Sequence, residues 1–214
     1  MRIAVLGTGV VGTTLATRFA ELGHPVTMGA RSAANEVADE RAAARGRRHG
    51  SFADAAAHAE LVVNATAGQA TLEALAAAGA EALAGKVLLD VANPLDFSGG
   101  FPPSLWLANT DSLGEQVQSA VPATRVVEAL NTVTAAAMVS AQLLDEPHDL
   151  FMAGDDAQAK AVVRGLLGEL GWDPERVHDL GGIEAARGTE MYQALWLRLM
   201  GSLGTAAFNV RVVR

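Results

Sequence analysis

The chain has 214 residues, of which 50% are hydrophobic and 19% charged, the balance of a folded chain rather than a disordered one. Lys and Arg number 16 against 24 Asp and Glu, and the net charge of -8 argues against nucleic acid and anionic membrane surfaces as partners. With no cysteine, disulfides, thiolate metal sites and cysteine nucleophiles are excluded, a composition that fits a cytoplasmic setting. The length suits one domain, or one domain with a small appendage.

The chain opens on an apolar run at 2–6 that breaks at Gly7-Thr8-Gly9 and is followed by Arg18 and Glu21. That is too short for a signal sequence or a membrane span, and it is read as a strand. A helix follows over 10–22, its inner face carrying Val11, Leu15, Phe19 and Leu22. Further apolar runs at 25–29, 61–65, 86–91 and 125–129 predict strands buried on both faces. Helix-length patterns lie between them at 33–45, 69–79 and 112–120, and alanine clusters over 53–84 are expected on solvent-facing helix. Alternating strands and helices predict a doubly wound α/β fold with a mostly parallel sheet.

The second half is less regular. Residues 92–111 form a long connection holding Pro94, Pro102 and Pro103, expected to be a wall or lid over an open cleft. Asp111-Ser112 is expected to cap the helix after it, and Asp155 or Asp156 a helix running to about Leu170. A last strand is expected at 176–180, with Gly181-Gly182 as a hinge. From Glu184 to Leu203 the pattern is helical and apolar nearly all round. Met191, Leu195, Leu199 and Leu203 form one stripe, with Tyr192, Trp196 and Met200 beside it. Such a helix needs cover from the domain, a second subunit or a bound ring system. The expected division is 1–180, a nucleotide-binding domain, and 181–214, a helical segment that completes the cleft and meets a partner subunit.

Gly7-Thr8-Gly9-Val10-Val11-Gly12 has the Gly-x-Gly-x-x-Gly form with a strand before it and a helix after it. In that context Gly7 permits the tight turn, Gly9 admits a pyrophosphate and Gly12 lets helix and sheet close together. The free N–H groups at the helix start and the helix dipole then hold the anion, as in a Rossmann-type dinucleotide site. An NAD site places Asp or Glu at the end of the second strand, whereas this chain has Gly29-Ala30-Arg31-Ser32 and no carboxylate before Glu36. Arg31 can grip a 2′-phosphate, with Ser32 and Thr8 as hydroxyl donors, so the expected nucleotide is NADP.

The far half of that nucleotide is expected beyond the carboxyl ends of the later strands. Ala65-Thr66, Asn93-Pro94 and Asn131-Thr132-Val133 stand there, each with a plain turn as the rival reading. No residue suits the task of protonating an alkoxide. Lys86 and Lys160 are the only lysines, and Tyr192 is the only tyrosine. The five histidines never fall four apart, so no metal site is expected. Hydride exchange between two stacked carrier rings needs no such acid, only close approach and orientation.

These residues, with Val126-Val127-Glu128-Ala129-Leu130, Ala153-Gly154-Asp155-Asp156 and the segment through Phe208-Asn209, resemble the NADPH-dependent deazaflavin-coenzyme (F420) reductases over nearly the whole length. The resemblance implies a Rossmann domain with a small helical C-terminal segment, a homodimer, and a deazaflavin stacked on the nicotinamide. It implies that Thr8, Arg31 and Ser32 hold the 2′-phosphate and that Thr66, Asn93, Pro94, Asn131 and Val133 border the two rings. Met191 and Trp196 complete the expected pocket for the second ring. Ala30 and Asn35 stand where better-known members carry Ser and a basic residue. Two other readings remain beside this one: an NADPH-dependent reductase of a small imine, ketone or metal-bound acceptor, and a non-catalytic NADP-sensing module.

Overall fold

The computed structural model describes residues 1–31 and 47–214. The helix expected over 33–45, together with Ser32 and Asn35, lies outside the described residues. Chain order begins β1 (Ile3–Leu6), α1 (Val10–Glu21), β2 (Val26–Ala30), β3 (Arg47–Ser51), α2 (Phe52–His58), β4 (Leu61–Asn64), α3 (Thr71–Ala78), α4 (Ala80–Leu83) and β5 (Val87–Asp90). A small hairpin follows, β6 (Leu95–Asp96) with β7 (Ser104–Leu105), then α5 (Leu113–Ala120), β8 (Arg125–Ala129) and α6 (Ala135–Met138). The chain continues through β9 (Leu150–Ala153), α7 (Ala157–Glu169), β10 (Val177–Asp179) and α8 (Ala186–Leu203).

Among the described residues one eight-stranded sheet forms in the order β10-β9-β8-β5-β4-β1-β2-β3. It is parallel except where β9 meets β8. The order reverses between β1 and β4, so the crevice at their carboxyl ends is the topological switch point where such sheets take ligands. Central strands are buried on both faces, which is why each is a nearly unbroken apolar run. Ile3, Val5, Val63, Leu89 and Val127 pack with α1, α6 and α7 on one side, and Ala4, Leu6, Val62, Leu88 and Val126 pack with α2, α3 and α5 on the other.

Three readings are corrected. The alanines of 53–84 are not simply solvent-facing. Ala55, Ala56, Ala74 and Ala78 are buried, because small side chains let α2 and α3 lie close to the sheet. The polar strand β3 was not foreseen: it pairs with β2 alone, and an edge strand needs no apolar run. The proline-bearing connection holds the β6–β7 hairpin rather than only irregular loop. Of the covers open to it, the last helix finds one in this chain for Thr189, Glu190, Gln193 and Leu197, while its Leu195 and Leu203 are each 55% exposed. Its inner face is polar because it docks on unpaired backbone groups, as described below. The helices expected after Ser112 and Asp156 form, each capped by the side chain of that residue accepting a backbone N–H.

Candidate functional site

The loop after β1 is made by close backbone approach. Gly7 has φ +113°, and a β-carbon on it would stand 2.4 Å from the Ala65 carbonyl oxygen. A β-carbon on Gly12 would stand 2.2 Å from the Gly7 carbonyl oxygen. At Gly9 no atom lies within 4 Å of that position, so the space over the start of α1 is open. No side chain caps α1, and Val10 is 77% exposed. The helix therefore presents uncapped N–H groups and the positive end of its dipole to that space, while Val11 and Gly12 turn toward the sheet. An extended phosphate chain fits this cradle, because Gly9 leaves its floor clear while Gly7 and Gly12 let the backbone close around it.

A cleft of about 770 Å³ continues from this loop. Gly7, Thr8 and Gly9 form one end, and Ala65, Thr66 and Ala67 form a second wall. Ala30 and Arg31, at the end of β2, form the rim with Phe52 and Glu73. Arg31 is exposed, and its positively charged guanidinium carries five N–H donors in a planar fork. Phe52 and Glu73 escaped the sequence reading. Phe52 opens a helix that follows an unforeseen strand, and Glu73 had no partner in the sequence to mark it.

Beyond this cleft the carboxyl ends of β4, β5 and β8 carry a row of buried polar side chains. Asn64, Asp90 and Glu128 are register partners across the three strands. The Asn64 amide donates to Asp90 Oδ1 at 2.8 Å, and the Thr66 hydroxyl donates to Asn64 Oδ1 at 2.7 Å. The wall of the cleft is thus tied to the floor of the sheet. Burial pushes the Asp90 carboxyl up to about 6, against the N–H of Ala92 and the Asn64 amide, which stabilise its charged form.

Asn93 and Asn131 are brought together. The Asn93 amide donates to the Asn131 carbonyl at 2.9 Å, and the Asn131 amide to Asn93 Oδ1 at 3.3 Å. Gln193 of α8 donates to the same Asn131 carbonyl at 2.6 Å. Leu130 just before it holds a left-handed φ of 67°. Pro94 is buried beside this junction and its carbonyl accepts from the Trp106 N–H at 3.1 Å. Gln193 was not foreseen, since only the tertiary structure sets it against the turn after β8.

The three residues expected around a second ring do not line the 770 Å³ cleft. Val133 is buried in the core on the α1 side. Met191 is half-buried on α8, and Trp196 stacks on Phe208 with ring centroids 5.2 Å apart. Three other large aromatics project from the connection beside Asn93 and Pro94: Phe97, Phe101 and Trp106 are 59%, 68% and 39% exposed. Lys86 and Lys160 stand elsewhere, donating to the Ala56 carbonyl and to Asp179.

Known proteins match this arrangement. The family model described as NADP oxidoreductase, coenzyme F420-dependent, matches residues 2–94. An F420-dependent NADP reductase of Methanothermobacter thermautotrophicus is 33% identical over 93% of this chain and 89% of its own length. Metalloreductase STEAP3 of Rattus norvegicus is 28% identical over 94% of this chain, which spans only 37% of that protein. A crystal structure of a provisionally named F420-dependent NADP reductase from Arthrobacter sp. FB24 shares 50% identity and a TM-score of 0.92, with all of both chains covered. A reductive aminase from Aspergillus terreus in complex with NADPH shares the fold at 23% identity and a TM-score of 0.67, over 95% of this chain and 62% of that one. With a glycine cradle at the switch point, an arginine at the end of β2 and these relatives, the chain belongs to the coenzyme F420-dependent NADP oxidoreductase family.

Proposed function

We propose that this chain moves hydride between NADPH and a deazaflavin coenzyme of the F420 type. The observation that carries the reading is the cleft itself: uncapped α1 N–H groups over Gly7–Gly12 at one end, and Arg31 where a ribose carboxylate would otherwise stand. Thr8, Gly9, Val10 and Val11 hold the diphosphate, and Arg31, with Ser32, takes the 2′-phosphate. Ala65 and Thr66 border the ribose, and Asn93, Pro94 and Asn131 border the nicotinamide. Val133, Met191 and Trp196 belong to the second-ring pocket only with a partner or a closed form of the hairpin. The exposed aromatic faces of Phe97, Phe101 and Trp106 support that form.

When bound, the nicotinamide supplies a hydride, and the acceptor ring takes it together with a proton from solvent. The protein's share is to hold two flat rings within roughly 3–3.5 Å, which places most of the catalysis in orientation. A homodimer, a cytoplasmic setting and the 1–180 and 181–214 division belong to the same proposal. Leu195 and Leu203 on α8 support the dimer. Among the described residues no helix is long and apolar enough to cross a membrane.

Stopped-flow mixing of the protein with NADPH and oxidised deazaflavin coenzyme tests this: the deazaflavin absorbance bleaches as NADPH is consumed. NADPH-bound protein that leaves the absorbance unchanged overturns it. The likeness to a metalloreductase favours a second reading, reduction of a metal-bound acceptor by NADPH. That reading predicts NADPH oxidation with a chelated ferric ion and none with the deazaflavin.

A further inference from the structure

Three acidic side chains lie buried together on the α5 side of the sheet. Asp90 and Glu128 are register partners on β5 and β8, and Glu190 descends on them from α8. Their exposures are 0%, 1% and 2%. Among the described residues no lysine, arginine or histidine bonds to any of them. Arg187, on the same helix as Glu190, is held instead by Glu115 of α5 at 2.8 Å. Such a cluster cannot stay fully ionised in a dry interior.

The hydrogen bonds show how the charge is arranged. Glu190 accepts the backbone N–H groups of Leu113 and Gly114, each at 2.9 Å and one on each oxygen. These are donors of the first turn of α5, so Glu190 is stabilised as a carboxylate at the positive end of a helix dipole. Glu128 Oε1 accepts the Thr189 hydroxyl. Glu128 Oε2 is buried, has no hydrogen-bond partner among the described residues, and lies 3.2 Å from where a β-carbon of Gly114 would stand. Both carboxyl groups thus close on Gly114, whose N–H bonds Glu190 Oε1 at 2.9 Å and whose β-carbon position stands 3.2 Å from Glu128 Oε2. Two carboxylates there would repel, whereas one proton between them makes a strong O–H···O⁻ bond.

We propose that Glu128 and Glu190 share a single proton, carried on Glu128 Oε2, and that this bond is the catch that docks α8 on the sheet. Both residues are positioning residues. One turn beyond the catch, Gln193 of the same helix holds the Asn131 carbonyl, so the catch also sets the wall beyond β8. Burial first, then the neighbouring charge of Glu190, drives the Glu128 carboxyl well above the usual range, and burial raises Glu190 as well. Asp90 is the remaining charged group facing the pair, from β5, and it adds to the repulsion. A raised carboxyl means the folded chain binds more protons than the unfolded one. Its contribution to stability is therefore full below the ordinary carboxyl range and is lost as pH rises through the folded value.

Two variants that remove the same charge separate the two roles. In Glu128→Gln the amide donates permanently to Glu190 and its carbonyl accepts from Thr189, copying the protonated acid. In Glu190→Gln an NH₂ group is forced against the N–H groups of Leu113 or Gly114. Thermal midpoints of the coenzyme-free proteins, followed from about pH 6 to about pH 10, are expected to fall with pH for the parent and to stay flatter for Glu128→Gln. Glu190→Gln is expected to melt roughly 5–10 °C lower than Glu128→Gln at neutral pH. The infrared spectrum of the parent should hold a deuterium-sensitive carboxylic-acid carbonyl band that Glu128→Gln lacks. Equal midpoints for the two variants, an unchanged alkaline slope in Glu128→Gln, or an acid band that survives in it, overturns the proposal. None of these readouts uses a coenzyme, so they stand or fall apart from the hydride-transfer reading.

Discussion

Gly12 sits so close to Gly7 that a β-carbon on it would stand 2.2 Å from the Gly7 carbonyl oxygen, whereas the same atom on Gly9 would meet nothing within 4 Å. One glycine of the loop is thus required by the fold, and the other only by what the fold binds. Gly12→Ala is expected to cost about 1–3 kcal/mol of stability, since neither backbone can give way. Gly9→Ala is expected to leave the urea midpoint unchanged but to weaken NADPH at least about tenfold, because its methyl enters the phosphate space. Urea titrations with fluorescence titrations of NADPH check both. Equal stability loss in the two variants contradicts the assignment.

Arg31 lies on the rim of the cleft with its guanidinium exposed. A charged hydrogen bond to a 2′-phosphate is worth roughly 1.5–3 kcal/mol, so Arg31→Ala should weaken NADPH by about ten- to a hundredfold. NADH binding should hardly change. Calorimetric titration of both nucleotides settles it, and parallel losses for the two would remove the 2′-phosphate from Arg31.

The Asn131 carbonyl has two donors, Asn93 at 2.9 Å and Gln193 at 2.6 Å. Either single alanine substitution leaves one donor and is expected to cost about 1 kcal/mol from that bond. The double variant leaves a buried carbonyl unpaired and is expected to cost more than the sum of the singles. A double-mutant cycle in urea measures the excess. Strict additivity would mean that the two amides do not act on one group.

Asp149 is fully buried and anchors residues 205–214. Its Oδ2 accepts the Val212 N–H at 2.6 Å, and its carbonyl accepts the Asn209 amide at 2.8 Å. Burial raises its carboxyl, but the Val212 N–H, His178 and Arg176 together outweigh that and hold it below the usual range. A lowered carboxyl stabilises the fold above its unfolded value and loses that contribution as pH falls through the folded one. Asp149→Asn is expected to lower the thermal midpoint at neutral pH and to shrink that loss in acid. Limited trypsinolysis after Arg211 should run about tenfold faster in the variant, as a tethered segment opens more often. Unchanged cleavage would show that the anchor lies elsewhere.

Much of the fold was legible because its signals are local. β1, β4, β5 and β8 are short apolar runs, and a strand covered on both faces cannot be written otherwise. The helix starts at Ser112 and Asp156 were equally plain, since an oxygen two or three residues before a free N–H is a local matter. β3 was not legible, because Arg47–Ser51 lies at an edge and carries no buried run to announce it. The inner face of α8 was not legible for a related reason. Its leucines suggested a buried stripe, while the side that docks is chosen by the unpaired backbone groups of α5 and of Asn131.

From its sequence alone the chain was determined as a doubly wound α/β protein with a phosphate-binding loop at Gly7–Gly12 and an arginine rather than a carboxylate after β2. Those features depend on neighbours a few residues apart, and periodicity and turn chemistry record them directly. The tertiary structure alone decided that Glu73 and Phe52 share a rim with Arg31, that Gln193 holds Asn131, and that Glu128 and Glu190 both close on Gly114. Groups distant in the chain reveal no partnership until the backbone brings them together. A carboxyl group's charge depends on whether its surroundings are water or another acid.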